Sequence, residues 1–207
     1  MSAKLLGIHL DSKLTWDTHN KQTITKLTRV CFLLRKLKNC VSCNTLLSAY
    51  YSFFHTHLLY GCLLWGNSSG AAKVFLWQKK ALRIMSGSSV TDSCRPIFLQ
   101  FRILTLPSIF IFHNLLFVRK NINDFLVQSQ IHSYQTRKCV DLTTPQFRLQ
   151  KTLSSHKYLQ ILLFNKLPLS IRTLEYKTFK RRMNSWLVNR VFYSVDEYMK
   201  NDNFNLI

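Results

Sequence analysis

Cys40-Val-Ser-Cys43, with His55 and His57 downstream, has the ligand types and the two-residue gap of half a zinc site. A structural zinc centre wants a second pair at compatible spacing in a polar loop. His55 and His57, two residues apart, fall on different sides of a helix, so ordinary thiols are expected. The six cysteines (31, 40, 43, 62, 94 and 139) are scattered and follow no signal-peptide pattern, which suits reduced thiols in an intracellular, non-secreted protein. Phosphoryl transfer by two metals needs carboxylates that converge on ions roughly 3.5–4 Å apart. Nine carboxylates are present, and only Asp196 and Glu197 are adjacent, in a tail rather than after an apolar strand. No Ser/His/Asp or Cys/His set can be assembled. His19, near a helix start, and His55, on an apolar helix, are expected as hydrogen-bonded structural histidines. No catalytic residue, metal ligand or cofactor is therefore assigned, and a self-sufficient polymerase or nuclease is not expected.

The charge balance points to polyanions. Lys+Arg number 29 against 9 Asp+Glu, a net charge of +20 and a pI near 10.1. Each Lys or Arg placed on a phosphate releases condensed counterions, and such contacts position a nucleic acid without reading its sequence. The candidate contacts are Lys21, Lys26, Arg29 and Lys36, then Lys73, Lys80 and Arg83, then Lys180 and Arg181. A solvated helix face is the competing reading for each group. Arg137 is expected to anchor its connector.

These cations need helices to align them. A helix over 18–39, with Asp17 or Thr18 as N-cap, turns Ile24, Leu27, Cys31 and Leu34 to one face. Lys26, Arg29 and Lys36 lie opposite with Gln22, and Lys21 is on their flank. Leu33 intrudes on the basic side, while Arg35 and Lys38 fall toward the apolar one. A second helix over 44–59 carries Leu46, Leu47, Tyr50, Phe53, Phe54 and Leu58 around most of its circumference, so burial between neighbours is expected. Gly61 and Gly66 break the pattern. A third helix over 71–85 stops at Gly87, with Val74, Phe75, Gln78, Leu82 and Met85 inward and Lys73, Lys80 and Arg83 outward. Pro96 and Pro107 suit the first turns of two more helices. Periodicity fades over 128–155 and returns over 175–190, where Phe179, Met183, Trp186 and Leu187 oppose Lys177 and Arg181, with Lys180 at the boundary. The aromatics Tyr50, Phe53, Phe54, Trp65, Phe110 and Phe112 read as core rather than as stacking groups for bases.

Residues 5–16, Leu-Leu-Gly-Ile-His-Leu-Asp-Ser-Lys-Leu-Thr-Trp, read as a strand with Leu6, Ile8 and Leu10 alternating, then a polar turn at Asp11-Ser12. This passage resembles the point where the palm of a jockey-type non-LTR retrotransposon reverse transcriptase, an RNA-directed DNA polymerase, passes into its thumb. Leu33-Leu34-Arg35-Lys36-Leu37, Ala49-Tyr50-Tyr51-Ser52, Trp65-Gly66-Asn67 and Gln78-Lys79-Lys80-Ala81-Leu82-Arg83-Ile84 continue the likeness. So do Cys94-Arg95-Pro96, Leu104-Thr105-Leu106-Pro107, Tyr134-Gln135-Thr136-Arg137, Asn165-Lys166-Leu167-Pro168 and the run Phe192 to Tyr198. In that family the catalytic aspartates, on an aromatic-X-Asp-Asp turn, lie upstream of this point. The resemblance thus implies a thumb and C-terminal region that grip template–primer. It implies no polymerase chemistry here, since the ligands for the family's magnesium are not present.

The expected fold is mainly α: a polymerase-thumb-like helical bundle with a short N-terminal strand or hairpin and a helical C-terminal region. The expected division is 1–16 palm-end strand, 17–127 bundle, 128–155 extended connector and 156–207 C-terminal helical segment. Expected partners are RNA, DNA or hybrid duplex, together with the palm and fingers portion or another protein covering exposed apolar surface around Leu6, Ile8 and Leu10. One rival is a protein-interaction module or non-functional translated relic. The other is a membrane protein with spans near 46–65 and 97–118. A span needs about 20 predominantly apolar residues, and Ser48, Ser52, His55, Thr56 and His57 interrupt the first window. No membrane is expected as a partner.

Overall fold

The computed structural model describes residues 2–130, 139–146 and 156–204; the block at 134–137, with Arg137, lies outside them. Two strands, β1 (Ser2–Leu5) and β2 (Ile8–Asp11), pair antiparallel with Leu5 opposite Ile8. The loop between them is Leu6-Gly7, both at positive φ (48° and 81°), the two-residue connection whose twist matches the strands. Leu6 therefore leaves the strand alternation that its spacing suggested and stands 84% exposed. The hairpin is tied down by the Tyr60 hydroxyl, which donates to the Leu6 carbonyl.

α1 (Asp17–Leu37) follows a turn built on one carboxylate. Asp11 accepts from the backbone N–H groups of Lys13, Thr15 and Trp16 at 3.1, 2.9 and 2.8 Å. These bonds, led by the Thr15 N–H, hold its carboxyl below the usual range. The turn delivers Trp16 at φ 67° as the N-cap, so neither Asp17 nor Thr18 caps the helix; Asp17 instead faces the dipole from the first turn.

α2 (Cys43–Ala49), a π-helical stretch (Tyr50–His55) and α3 (Thr56–Leu59) make one continuous rod over 43–59. Its buried side chains, Leu46, Tyr50, Phe54 and Leu58, are spaced by four. In a regular α-helix that spacing drifts by roughly 40° per step. The wider π turn cancels part of the drift and keeps the four on one face. The rod is consequently buried on one side only. Phe53, expected in the core, is 51% exposed, and Tyr51 and Leu59 are exposed beside it.

α4 (Cys62–Trp65) and α5 (Ala71–Ser86) come next, with Gly87 at φ 80° ending α5 as its pattern indicates. α6 (Arg95–Phe101) and α7 (Leu106–Lys120) both carry Pro in the first turn. Ten of the 15 residues of α7 are buried, including Ile109, Phe110, Leu115 and Val118. A helix apolar on all sides must be surrounded, and α7 packs against α4, α8 (His156–Asn165), α10 (Tyr176–Arg190) and α11 (Val195–Lys200), with the short α9 (Leu169–Arg172) between α8 and α10. Leu163, Phe164, Phe179 and Met183 from the C-terminal segment thus share one core with Leu27, Phe54 and Leu82.

The connector docks where it is described. Asn165 accepts from the Leu142 N–H at 2.9 Å and donates to its carbonyl at 2.8 Å. Arg172 donates to Asp141 at 2.8 Å and to the Asn165 and Leu167 carbonyls. Among the described residues no single helix is long and apolar enough to cross a membrane. α6 and α7 reach that length only as a pair bent by 54°.

Gly66 marks a close approach of backbone to backbone. A Cβ there would lie 2.6 Å from the Cys62 carbonyl oxygen and 2.9 Å from the Phe110 ring. Backbone cannot yield as a flexible side chain can. Gly66→Ala is expected to cost about 3 kcal/mol, the upper end for overpacking, read as a lower urea midpoint with unchanged slope; a midpoint within error of the parent would refute it.

Candidate nucleic-acid interface

α1 and α5 form the surface that carries most of the cations singled out above. Contacts at both ends fix them as parallel and in step. Asn20 donates to Ser68 Oγ at 2.9 Å, and its amide lies 2.4 Å from where a Gly70 side chain would begin. Farther along, Lys80 and Arg35 both act on the Cys31 thiol, which burial pushes up to about 11. At the far end the Lys38 ammonium sits against Gly87, at the C-terminus of α5, where the helix dipole favours a cation.

Lys21, Lys26, Arg29 and Lys36 are all exposed on α1, and Lys73 and Lys80 are exposed on α5. Among the described residues none of the six side chains is in a hydrogen bond or ion pair. The ion pairs form elsewhere, as Arg95–Glu197 (2.7 Å), Lys166–Asp202 (2.5 Å) and Arg172–Asp141 (2.8 Å). The reason is in the sequence: between Asp17 and Asp92 there is no Asp or Glu at all. Lys26 extends the cationic surface toward the 43–59 rod, where it adds to the downward shift that burial gives His19 and His57.

The remaining candidates stand apart. Arg83 is half-buried and spends Nε and Nη2 on the Asp92 carbonyl at 3.1 and 2.7 Å, bracing the turn after α5. Lys180 and Arg181 are exposed on α10, whose main packing is against α6 and α7 rather than α1. Lys180 lies near His113 of α7.

No family model, curated protein or solved structure matches this chain.

Sequence reasoning missed two features of this surface. Arg35, read as leaning toward the apolar side, is exposed. Phe32 and Leu76 are 60% and 58% exposed in the middle of the cationic faces. The helical wheel that placed Lys36 outward places Phe32 beside it, so the signal was available.

The other chemical candidates resolve into structure. Cys40 is exposed in the turn after α1 and Cys43 at the first residue of α2, with His55 and His57 along the rod beyond them. Among the described residues no three His, Cys, Asp or Glu side chains come together as a metal site. Glu197 is committed to Arg95 and to the Tyr193 N–H at 2.7 Å. His19 takes a structural place, near Thr23 Oγ1 at 3.5 Å and the Trp65 ring, as its position implies. His55 is different, since its Nδ1 is buried and has no hydrogen-bond partner among the described residues.

Burial pulls His55 down to about 4, with His113 adding to the shift, and burial also lowers His19, His57, His113 and His156. Unfolded histidines protonate near 6.5, so below that pH the unfolded chain binds protons that the native chain refuses. Stability is full above pH about 6.5 and is lost progressively as pH falls toward 4. The melting temperature is expected to drop between pH 7.5 and 5. A melting temperature constant over that range would contradict the burial of these rings.

Proposed function

We propose that the exposed cationic faces of α1 and α5 grip the phosphate backbone of a nucleic acid without reading its sequence. The chain, in this reading, is the thumb and C-terminal region of a jockey-type non-LTR retrotransposon reverse transcriptase, with no polymerase chemistry of its own. The observation that carries the proposal is the parallel α1–α5 pair with six exposed, unpaired cations and no carboxylate between Asp17 and Asp92. A merely solvated face gains nothing from excluding acids so completely, because mixed charge along a helix adds stability through i,i+4 pairs. A phosphate grip does gain, since every interspersed carboxylate would repel the backbone.

The test is fluorescence anisotropy of an RNA–DNA hybrid duplex titrated with the protein across salt. Six phosphate contacts predict a slope of log Kobs against log salt of about −5. No binding at low salt would overturn the proposal.

One observation favours a second reading. Leu5 and Leu6 are 61% and 84% exposed at the hairpin tip, an apolar edge suited to a protein partner such as a polymerase palm and fingers portion. Concentration-dependent association in the absence of nucleic acid, abolished by Leu5→Ser, would support it; a monomer at all concentrations would remove it.

A further inference from the structure

The same side-chain pattern occurs on both helices of the cationic surface. On α1, Phe32 stands between Arg29, three residues before, and Lys36, four after; on α5, Leu76 stands between Lys73 and Lys80 at the same intervals. Residues at these intervals are neighbours on a helix surface. Each apolar side chain is therefore flanked by two cations. Both are more than half exposed, although each helix already buries a full apolar face through Leu27, Cys31 and Leu34 or Val74, Leu82 and Met85. Folding alone does not call for them.

The cations are at hand for whatever covers the apolar groups. Lys36 Nζ lies 5.7 Å from the Phe32 ring centroid, and Lys80 Nζ lies 4.4 Å from the Trp77 ring. The two helices pack in parallel, with Asn20 against Gly70 and Lys38 against Gly87, which sets the two patterned helices side by side. A ligand that fits must offer negative charge and flat apolar surface at alternating short intervals. A duplex shows a protein mainly phosphate, with its base faces stacked away. A single strand offers both, and aromatic side chains set among backbone-tracking cations are how such strands are held. A lipid surface offers both as well, but helices that lie on membranes bury a whole apolar face, and here that face is used by the core.

We propose that the α1–α5 surface binds single-stranded nucleic acid in preference to duplex, with Phe32 as a stacking platform for an unpaired base and Arg29, Lys36 and Lys80 holding the flanking phosphates. This rests on the phosphate-grip reading above and names the form of nucleic acid that it takes. Leu76 supplies apolar floor beside Lys80.

The experiment compares an oligothymidylate single strand with a duplex of equal length, by anisotropy at fixed salt, for the parent protein, Phe32→Ala and Phe32→Trp. Because Phe32 is exposed, its variants are expected to melt with the parent. The parent binds the single strand more tightly. Phe32→Ala loses about tenfold on the single strand, keeps its duplex affinity and leaves the salt slope unchanged, while Phe32→Trp retains single-strand affinity. Equal losses on both ligands, no loss, or a parent that prefers duplex would overturn the stacking proposal and leave the phosphate grip standing. Failure to bind either ligand would overturn both. Binding to phosphatidylserine vesicles that needs Phe32, without any Phe32 effect on the single strand, would reassign the surface to anionic membranes.

Discussion

Reversing charge at Lys26 and Arg29 together is expected to flatten the salt dependence of duplex binding by about 2 in the slope of log Kobs against log salt. Each lost phosphate contact removes about one unit, and both side chains are exposed on α1 without a carboxylate partner. Affinity at low salt should fall as well, because the two glutamates would repel the phosphates that Lys26 and Arg29 attract. The paired control is reversal of Lys180 and Arg181 on α10, away from the α1–α5 pair, which should leave the slope within error of the parent. Equal slopes for the parent and the α1 variant would remove α1 from the interface. A flattened slope in the α10 control would show that net charge, rather than a placed surface, governs binding.

Gln78→Leu is expected to destabilise the fold by about 3–5 kcal/mol. Gln78 is fully buried and bonds through both its amide nitrogen and its amide oxygen. Nε2 donates to the Tyr50 hydroxyl at 3.0 Å and to the Leu104 carbonyl at 2.8 Å, and Oε1 accepts from the Leu106 N–H at 2.8 Å. One side chain thereby joins α5 to the 43–59 rod and to the entrance of α7. Leucine matches its volume and supplies none of these bonds. It leaves a backbone donor, a backbone acceptor and a hydroxyl unpaired, each costing about 1–3 kcal/mol though not additively. A loss below about 1 kcal/mol in urea unfolding would show that water replaces the amide.

The helices whose apolar and polar residues are segregated were legible from sequence. Leu27, Cys31 and Leu34 on α1 are buried as their spacing indicates, as are Val74, Phe75, Gln78, Leu82 and Met85 on α5. Gly87 ends α5 at positive φ, where a side chain would be strained. What the sequence concealed has physical causes. Phe53 reads as core because apolar residues occur around most of the circumference of 44–59, and periodicity chooses poorly among faces that nearly all qualify. The π stretch then set the phase that left it out. Leu6 looked like a strand residue because alternation carries no record of where a two-residue turn begins. The parallel register of α1 and α5 is a contact between residues some fifty apart in sequence, Asn20 on Gly70 and Lys38 on Gly87, and no local pattern encodes it. The cations were legible as cations. Their gathering into one surface, and the separation of Arg83, Lys180 and Arg181 from it, came only with the packing.

The most direct test of the central claim is lysine acetylation read by mass spectrometry with and without bound RNA–DNA hybrid. Protection concentrated at Lys21, Lys26, Lys36, Lys73 and Lys80, with Lys157 and Lys200 modified as in the free protein, is the result predicted for a phosphate-gripping α1–α5 surface. Protection spread evenly over all exposed lysines, or absent from α1 and α5, would contradict it.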